Sequence, residues 1–236
     1  MSLNGIFPID QWDFQSRSIL MELSDADQAR LMMHAREEHY QKGDVIFREG
    51  AVATGIYFIQ SGMVKKYKIG NEGQEHIFYV AGAGEFIGYH AVLADECYPD
   101  AAAALEESIL RYIPAADFLE VITTSPNLSK MLLKVLSHEF TVFTNNVSAF
   151  AQRPVKERIA IALIILREKF KRSVADGQAV LIKVSRDDIA NMAGTTRENV
   201  ARTLTEFRQD GILSTHGRKI EVTDIRRLAD ISNFPD

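Results

Sequence analysis

Residues 184–211 read VSRDDIANMAGTTRENVARTLTEFRQDG, and the pattern predicts two short helices joined by a tight turn. Ser185 has the hydroxyl that caps a helix by accepting from an orphan backbone N–H. Asp187 and Asp188 put negative charge in the first turn, where the helix dipole favours it. Ile189 and Ala193 give the first helix an apolar face. Gly194 is free to take the positive φ that a sharp inter-helix turn demands. Thr195 or Thr196 is placed to cap the second helix, Val200, Leu204 and Phe207 form its buried stripe, and Gly211 ends it. Thr196, Arg197, Glu198, Asn199 and Arg202 are left exposed near its start. Arginine pairs with guanine through two hydrogen bonds, and glutamate accepts from the cytosine amino group. A helix-turn-helix presents such groups at the start of its second helix, the part that enters the major groove. Taken alone, the same pattern also fits a helical hairpin with a solvated charged face.

The following residues, ILSTHGRKIEV at 212–222, favour the first reading. They predict two short strands around a turn at His216, Gly217 and Arg218, with Arg218 and Lys219 at the tip. Together the two stretches predict a winged helix-turn-helix and double-stranded DNA as partner.

This segment resembles the DNA-binding domain of the CRP/FNR family, the relatives of the cyclic-AMP receptor protein. The resemblance rests on Gly194, the hydroxyl at Thr196, the run Arg197-Glu198-x-Val200-x-Arg202, Gly211-Ile212-Leu213 and the wing Ser214-x-His216-Gly217. It implies DNA contacts from Thr195, Thr196, Arg197, Glu198, Asn199, Arg202, His216, Arg218 and Lys219. Where this chain has Asn199 the family usually has threonine. The resemblance also implies RNA polymerase among the partners.

Composition fits that division of labour. The chain has 236 residues and a net charge of −5, which by itself argues against a nucleic-acid partner. Divided at Ala151, it carries −9 before and +4 from there on. A basic half facing phosphate and an acidic half that senses is the arrangement this suggests. The single cysteine, Cys97, excludes an internal disulfide and a four-cysteine metal cluster. It also sets the chain apart from the iron–sulfur oxygen sensors of the family. The sequence opens on no basic-then-apolar leader, and no apolar run approaches the ~20 residues of a membrane span. These features predict a cytoplasmic protein without a membrane partner.

Upstream, residues 11–36 read as helical, with Ser24 and Asp25 as a cap before a second stretch. From residue 40 to 114 the texture changes. Nine of the fourteen glycines fall between positions 43 and 88, punctuating short β-rich runs at 45–47, 56–59, 63–67, 76–80 and 109–113. Short strands with glycine turns predict a jelly roll or barrel. The runs KGDVIFREG at 42–50, Tyr57-Phe58-Ile59-x-x-Gly62-x-Val64 and Gly84-Glu85-Phe86-Ile87-Gly88 resemble the family's cyclic-nucleotide-binding barrel.

The nucleotide site departs from that resemblance. Cyclic-AMP-binding members carry a glutamate after the last glycine of the motif and an arginine about a dozen residues later. Here Tyr89 takes the first place and Asp100 aligns with the second. There is no arginine from Glu49 to Leu110; Lys65, Lys66 and Lys68 are the cations of that interval, on a strand that reads as a partly exposed edge. A phosphate beside Asp100 would bear a heavy desolvation penalty. We therefore read the barrel as kept and its cyclic-nucleotide chemistry as lost, with a true receptor using a rebuilt site as the alternative. Phe86, Gly88, Tyr89, His90 and Tyr79 are candidates for a pocket holding an unknown small-molecule effector. Partly buried wall residues are the plainer reading of these groups. His76 and His90 raise a metal site, but the His-x-His pair of a metal cupin is missing, and no metal or cofactor is expected. Nothing near Cys97 favours a thiolate, which argues against redox sensing. A barrel enzyme is the third reading, and no triad, paired carboxylates or metal spacing supports it.

Ser125 and Pro126 open a long helix with apolar residues on more than one face. One stripe, Leu128, Val135 and Val142, is expected to lie against the same helix of a second subunit, which the resemblance also implies. Gln152-Arg153-Pro154 forms a hinge, and a helix over 155–170 follows with Ile159, Leu163 and Leu166 in its core. Lys169, Lys171 and Arg172 at its end face either phosphate or solvent. Asp176-Gly177 marks a turn before a strand at 180–184, and 224–236 form a short helix or extension. The expected fold class is α+β. It comprises a cyclic-nucleotide-binding-like jelly-roll sensor at 1–116, a dimerisation helix and hinge at 117–152, and a winged helix-turn-helix at 153–236. The expected function is that of a one-component, homodimeric transcription regulator.

Overall fold

The structure is a computed structural model that describes residues 3, 5–14, 16–21, 23–172, 174–175 and 178–233. The expected turn at Asp176-Gly177 and the end of the tail at 234–236 lie outside the described residues. The chain forms two compact units, one of Phe14–Lys68 and Tyr79–Thr141, the other of Met1–Asp13, Ile69–Phe78 and Val142–Asp236.

The first unit is the jelly roll. It opens with α1 (Arg17–Met21) and α2 (Asp25–Leu31). Ser24 caps α2 by accepting from the Asp27 N–H at 3.2 Å. The helical reading of 11–36 is too long: a 3-10 turn covers Ile9–Gln11, and residues from Arg36 onward are already strand. The strands are β1 (Arg36–Tyr40), β2 (Val45–Phe47), β3 (Gly55–Ser61), β4 (Met63–Ile69), β5 (Glu75–Gly82), β6 (Phe86–Ile87), β7 (Ala101–Ala104) and β8 (Ser108–Pro114). Helix α3 (Tyr89–Ala94) follows β6, and α4 (Ala115–Thr124) follows β8. One sheet has the order β1-β8-β3-β6 and the other β2-β7-β4-β5. β4 is thus an inner strand. The expectation of a partly exposed edge fails, because β7, an all-alanine strand, pairs beside it with Lys66 opposite Ala102.

The core of this unit joins Ile19, Leu23 and Leu31 to Ile56, Phe86, Val92, Ile113, Phe118 and Val121. Each such side chain contributes roughly 1.5–3 kcal/mol by leaving water. Gly62 fixes the β3–β4 turn. Its φ is +90°, and a Cβ there would lie 2.6 Å from the Glu107 carbonyl oxygen, so backbone packs where a side chain would stand.

Helix α5 (Pro126–Gln152) is the long helix, and its faces correct the expected stripe. Leu128 and Val135 belong to the jelly-roll core, and Val142 is fully buried, so this stripe is taken up within its own chain. The exposed apolar residues are Leu133, Phe140, Phe143 and Val147. Leu133, Phe140 and Val147 recur at intervals of seven, the spacing of a coiled-coil seam.

The second unit contains α6 (Val155–Lys171), β9 (Leu181–Ile182), α7 (Arg186–Ala193), α8 (Arg197–Gln209), β10 (Leu213–His216), β11 (Lys219–Val222) and α9 (Ile225–Ile231). The predicted strand at 180–184 shrinks to two residues, which pair with β11 in a sheet ordered β10-β11-β9. Ile159, Leu163 and Leu166 of α6 are fully buried, as expected. Of the end of α6, Lys169 is turned away from solvent while Arg172 is exposed. Lys169 is buried with its Nζ 2.6 Å from Asp13 Oδ1, and Arg172 pairs with the same carboxylate. Burial opposes charge on Asp13, but the Lys169 ammonium and Arg172 guanidinium outweigh it and hold the carboxyl down at about 2.

Candidate nucleic-acid interface and sensor site

The helix-turn-helix is built from local signals. Ser185 accepts from the Asp188 N–H at 3.0 Å, and the Asp188 carboxylate accepts from the Ser185 N–H at 3.2 Å, a complete capping box. Gly194 then turns the chain at φ +57°. A Cβ there would meet the Phe150 ring at 2.7 Å, so strain and crowding both select glycine. Of the two candidate caps, Thr196 is the one used: its hydroxyl accepts from the Asn199 N–H at 3.3 Å. Val200, Leu204 and Phe207 are buried, which turns the opposite face of α8 to solvent.

That solvent face carries Arg197, Glu198 and Arg202, all exposed, and a half-buried Asn199. Asn199 links two neighbours: its amide donates to the Thr195 hydroxyl at 3.0 Å and its carbonyl accepts from Arg202 at 2.9 Å. Arg197 lies 3.2 Å from the exposed Asp187 carboxylate, a partner that solvent screens and a phosphate or base can displace. Hydrogen bonds from its own backbone N–H and from the Thr196 hydroxyl lower the Glu198 carboxyl below its ordinary value, so it is an acceptor. On the wing, Gly217 takes φ +63° at the tip, and His216, Arg218 and Lys219 are exposed beside it. His216 Nε2 lies 3.4 Å from Glu221 and 3.1 Å from the Ser214 hydroxyl. The surface therefore offers guanidinium donors, a carboxylate acceptor and the N-terminus of a thirteen-residue helix.

In the jelly-roll unit the five expected pocket residues divide. Phe86 packs on Phe58 at 5.0 Å between ring centres, in the core. Tyr79 is committed elsewhere: its hydroxyl donates to the fully buried Glu85, accepts from the Phe14 N–H at 3.0 Å, and its ring stacks on Phe14 at 3.7 Å. Gly88 caps α3 at φ +83° and sets Tyr89 and His90 at that helix's start. These two do come together, in a charged cluster that sequence reading missed. Tyr89 donates to the buried Glu139 of α5, while His90 Nε2 and Lys66 Nζ lie 3.6 and 3.2 Å from Asp100 Oδ2. Burial, with Glu85 and Asp100 nearby, raises the Glu139 carboxyl despite Lys66 and Tyr89. Burial and the Lys66 charge lower His90 despite Asp100. Burial opposes the Asp100 charge, but Lys66 and His90 hold its carboxyl below the ordinary value. The sequence signal was a lysine inside an apolar β run, its partner hidden 34 positions away.

An open groove of about 200 Å³ lies elsewhere on this unit, lined by Val52, Ala91, Val92, Glu96, Cys97 and Leu119 among others, and includes none of the five. His76 packs its ring edge-on against Phe150 at 4.7 Å. Among the described residues no group of three or more His, Cys, Asp or Glu is placed to hold a metal. Nor, among them, is any helix long and apolar enough to cross a membrane.

Comparison with known proteins matches both units. Residues 37–125 match the family model described as cyclic nucleotide-binding domain, and 157–231 match the Crp-like helix-turn-helix domain. The fumarate and nitrate reduction regulatory protein of Yersinia pestis is 28% identical over 200 residues, covering 85% of this chain and 80% of its own length. The anaerobic regulatory protein of Aggregatibacter actinomycetemcomitans is 26% identical, covering 84% and 76%. Among solved structures, FixK2 from Bradyrhizobium japonicum superposes with a TM-score of 0.75 at 22% identity, covering 86% of this chain and 99% of that one. The c-di-GMP responsive regulator CLP of Xanthomonas campestris gives 0.69 at 22%, covering 84% and 99%.

Proposed function

The chain belongs to the CRP/FNR family of DNA-binding transcription regulators, and from that premise we propose that it reads an inverted-repeat DNA site as a homodimer, through a sensor that does not use cyclic AMP. The observation that carries the DNA reading is the capped, exposed start of α8, where Arg197, Glu198 and Arg202 stand free of the apolar core. Arg197 and Arg202 are assigned to guanine, Glu198 to cytosine, and Thr196 with the helix N-terminus to phosphate. Thr195 and Asn199 support that face, and His216, Arg218 and Lys219 hold the backbone from the wing. Dimerisation is assigned to the Leu133, Phe140 and Val147 seam of α5, supported by its exposure and heptad spacing. The functional division is a sensor at 1–116, the connecting helix at 117–152 and the DNA reader at 153–236.

The sensor reading is supported by the Lys66, Asp100 and Glu139 cluster. A cyclic phosphate placed there meets two buried carboxyl groups and a lysine that is already paired. Titration calorimetry is expected to show no cyclic AMP binding at ~1 μM or tighter, about −8 kcal/mol, and such binding would refute this half of the proposal. The DNA half is tested with a panel of sites. Arg197→Ala and Arg202→Ala should each cost ~1–3 kcal/mol on the best site and relax choice at one base pair per half-site. Arg218→Ala and Lys219→Ala should weaken all sites alike and flatten the salt dependence. Indistinguishable behaviour of the two sets contradicts the division into readers and positioners.

A further inference from the structure

The two arginines on the exposed face of α8 are held in different ways. Arg197 has a charged partner, the Asp187 carboxylate at 3.2 Å. Arg202 has a neutral one: its Nη2 donates to Asn199 Oδ1 at 2.9 Å. The other end of the same amide, Asn199 Nδ2, donates to Thr195 Oγ1 at 3.0 Å. Thr195 is itself fixed in the inter-helix turn, where its backbone N–H donates to the Ala190 carbonyl at 3.0 Å. The amide can stand only this way round. A guanidinium has no acceptor, so the amide oxygen must face Arg202, and the threonine hydroxyl accepts from the nitrogen. Asn199 and Arg202, three residues apart, are neighbours on the helix surface.

We propose that Asn199 is a positioning residue for base recognition: it commits each end of its amide within the chain, braces Arg202 on the turn, and reads no base itself. This rests on the assignment of Arg202 to guanine. A long arginine side chain has many rotamers, and ordering it on binding weakens association. Its guanidinium is planar, with five N–H groups in a fixed fork. Holding one Nη2 hydrogen on Asn199 sets the plane of that fork and leaves enough N–H groups for two parallel bonds to guanine. Because the brace is neutral, it leaves the positive charge of Arg202 whole. A carboxylate in its place would hold the arginine as firmly, but would offset its charge and repel phosphate.

A double-mutant cycle read at each base pair tests this. Dissociation constants of the full-length chain are measured for its best selected duplex and for that duplex altered at each half-site position in turn. The chains compared are the unaltered one, Asn199→Ala, Arg202→Ala and the double variant. Asn199→Ala should bind the best site about 3- to 10-fold more weakly per half-site, the effect of ordering one long side chain, and relax choice only where Arg202→Ala relaxes it. In the Arg202→Ala background, Asn199→Ala should change affinity by less than about twofold. Thr195→Val removes the hydroxyl that anchors the amide and should relax the same base pair, while Thr195→Ser keeps the hydroxyl and should restore the choice. Alanine is the stronger helix former, so Asn199→Ala should melt no lower than the unaltered chain. Should it not fold, the two Thr195 variants decide the question by the same readout. Additive losses in the cycle overturn the brace. So does an Asn199→Ala chain that relaxes a base pair Arg202→Ala leaves unchanged, which would make Asn199 a reader in its own right. An Arg202→Ala chain that relaxes no base pair is a distinct outcome, and overturns the guanine assignment and the brace with it.

Discussion

Helix α5 carries two apolar faces, and replacing one residue on each with aspartate separates their roles. Phe140, Leu133 and Val147 are 71%, 68% and 68% exposed. Full burial of such side chains contributes ~1.5–3 kcal/mol, so about two-thirds of that, roughly 1–2 kcal/mol each, is still to be gained in a seam. Counted over two copies the three positions supply about 6–12 kcal/mol, set against an association cost of ~4–15 kcal/mol. If α5 forms the proposed dimer, the seam is large enough to decide the balance. Phe140→Asp removes about 2–4 kcal/mol over the two copies and sets two like charges together, which weakens dimerisation by about 30- to 1000-fold or more. The expected result in sedimentation velocity is a monomer, with the circular dichroism of the folded chain retained. Val135→Asp acts on the opposite face. Val135 is 1% exposed in the jelly-roll core, so a carboxylate there loses the packing and buries a charge, and the chain should unfold. A folded monomer from Val135→Asp, or an unchanged dimer from Phe140→Asp, refutes the assignment of faces.

Two further outcomes are expected. Asp13, held at about 2 against an ordinary 3.8, favours the folded chain by about 2 kcal/mol above pH ~4, and this is lost as pH falls from there toward 2. Urea midpoints measured from pH 7 down to 2.5 should therefore fall less steeply for Asp13→Asn, which starts lower; parallel slopes would contradict the pairing with Lys169 and Arg172. Gly194→Ala incurs ~1–2 kcal/mol of left-handed strain and must also displace the Phe150 ring, whereas Gly211→Ala, at φ +70° with open space around it, incurs the strain alone. Denaturant unfolding should rank Gly194→Ala as the more damaging; equal losses would show that the contact with Phe150 does not constrain the turn.

What the sequence disclosed and what it hid divide along the range of the interactions. The helix-turn-helix was legible because its determinants are local: a capping box within four residues, a glycine at the turn, and an apolar stripe within one helix. The strands built of Ile, Tyr, Phe and Val were legible for the same reason. β7 was not, because four alanines carry no strand preference and are strands only because β2 and β4 flank them. β1, Arg-Glu-Glu-His-Tyr, lacks the apolar alternation and is recruited by β8. Periodicity showed that α5 has two apolar faces, yet it could not say which face its own barrel had taken. The charged pairs were the least legible. Lys66 with Asp100, and Lys169 with Asp13, 156 positions apart, are joined only by the fold, so lysines that read as surface cations turn out to be buried counter-ions.

The central claim is that two copies of α8 read one symmetric DNA site. Selection of random duplexes by the purified full-length chain, followed by footprinting of the enriched sequence, tests it most directly. The expected product is an inverted repeat whose half-sites lie about one helical turn apart, ~34–36 Å. Arg197→Ala and Arg202→Ala should each relax the preference for one guanine in the half-site, and Glu198→Ala the preference for a cytosine. Enrichment of an asymmetric site, or of a symmetric one that these three variants bind as well as the unaltered chain, would contradict it.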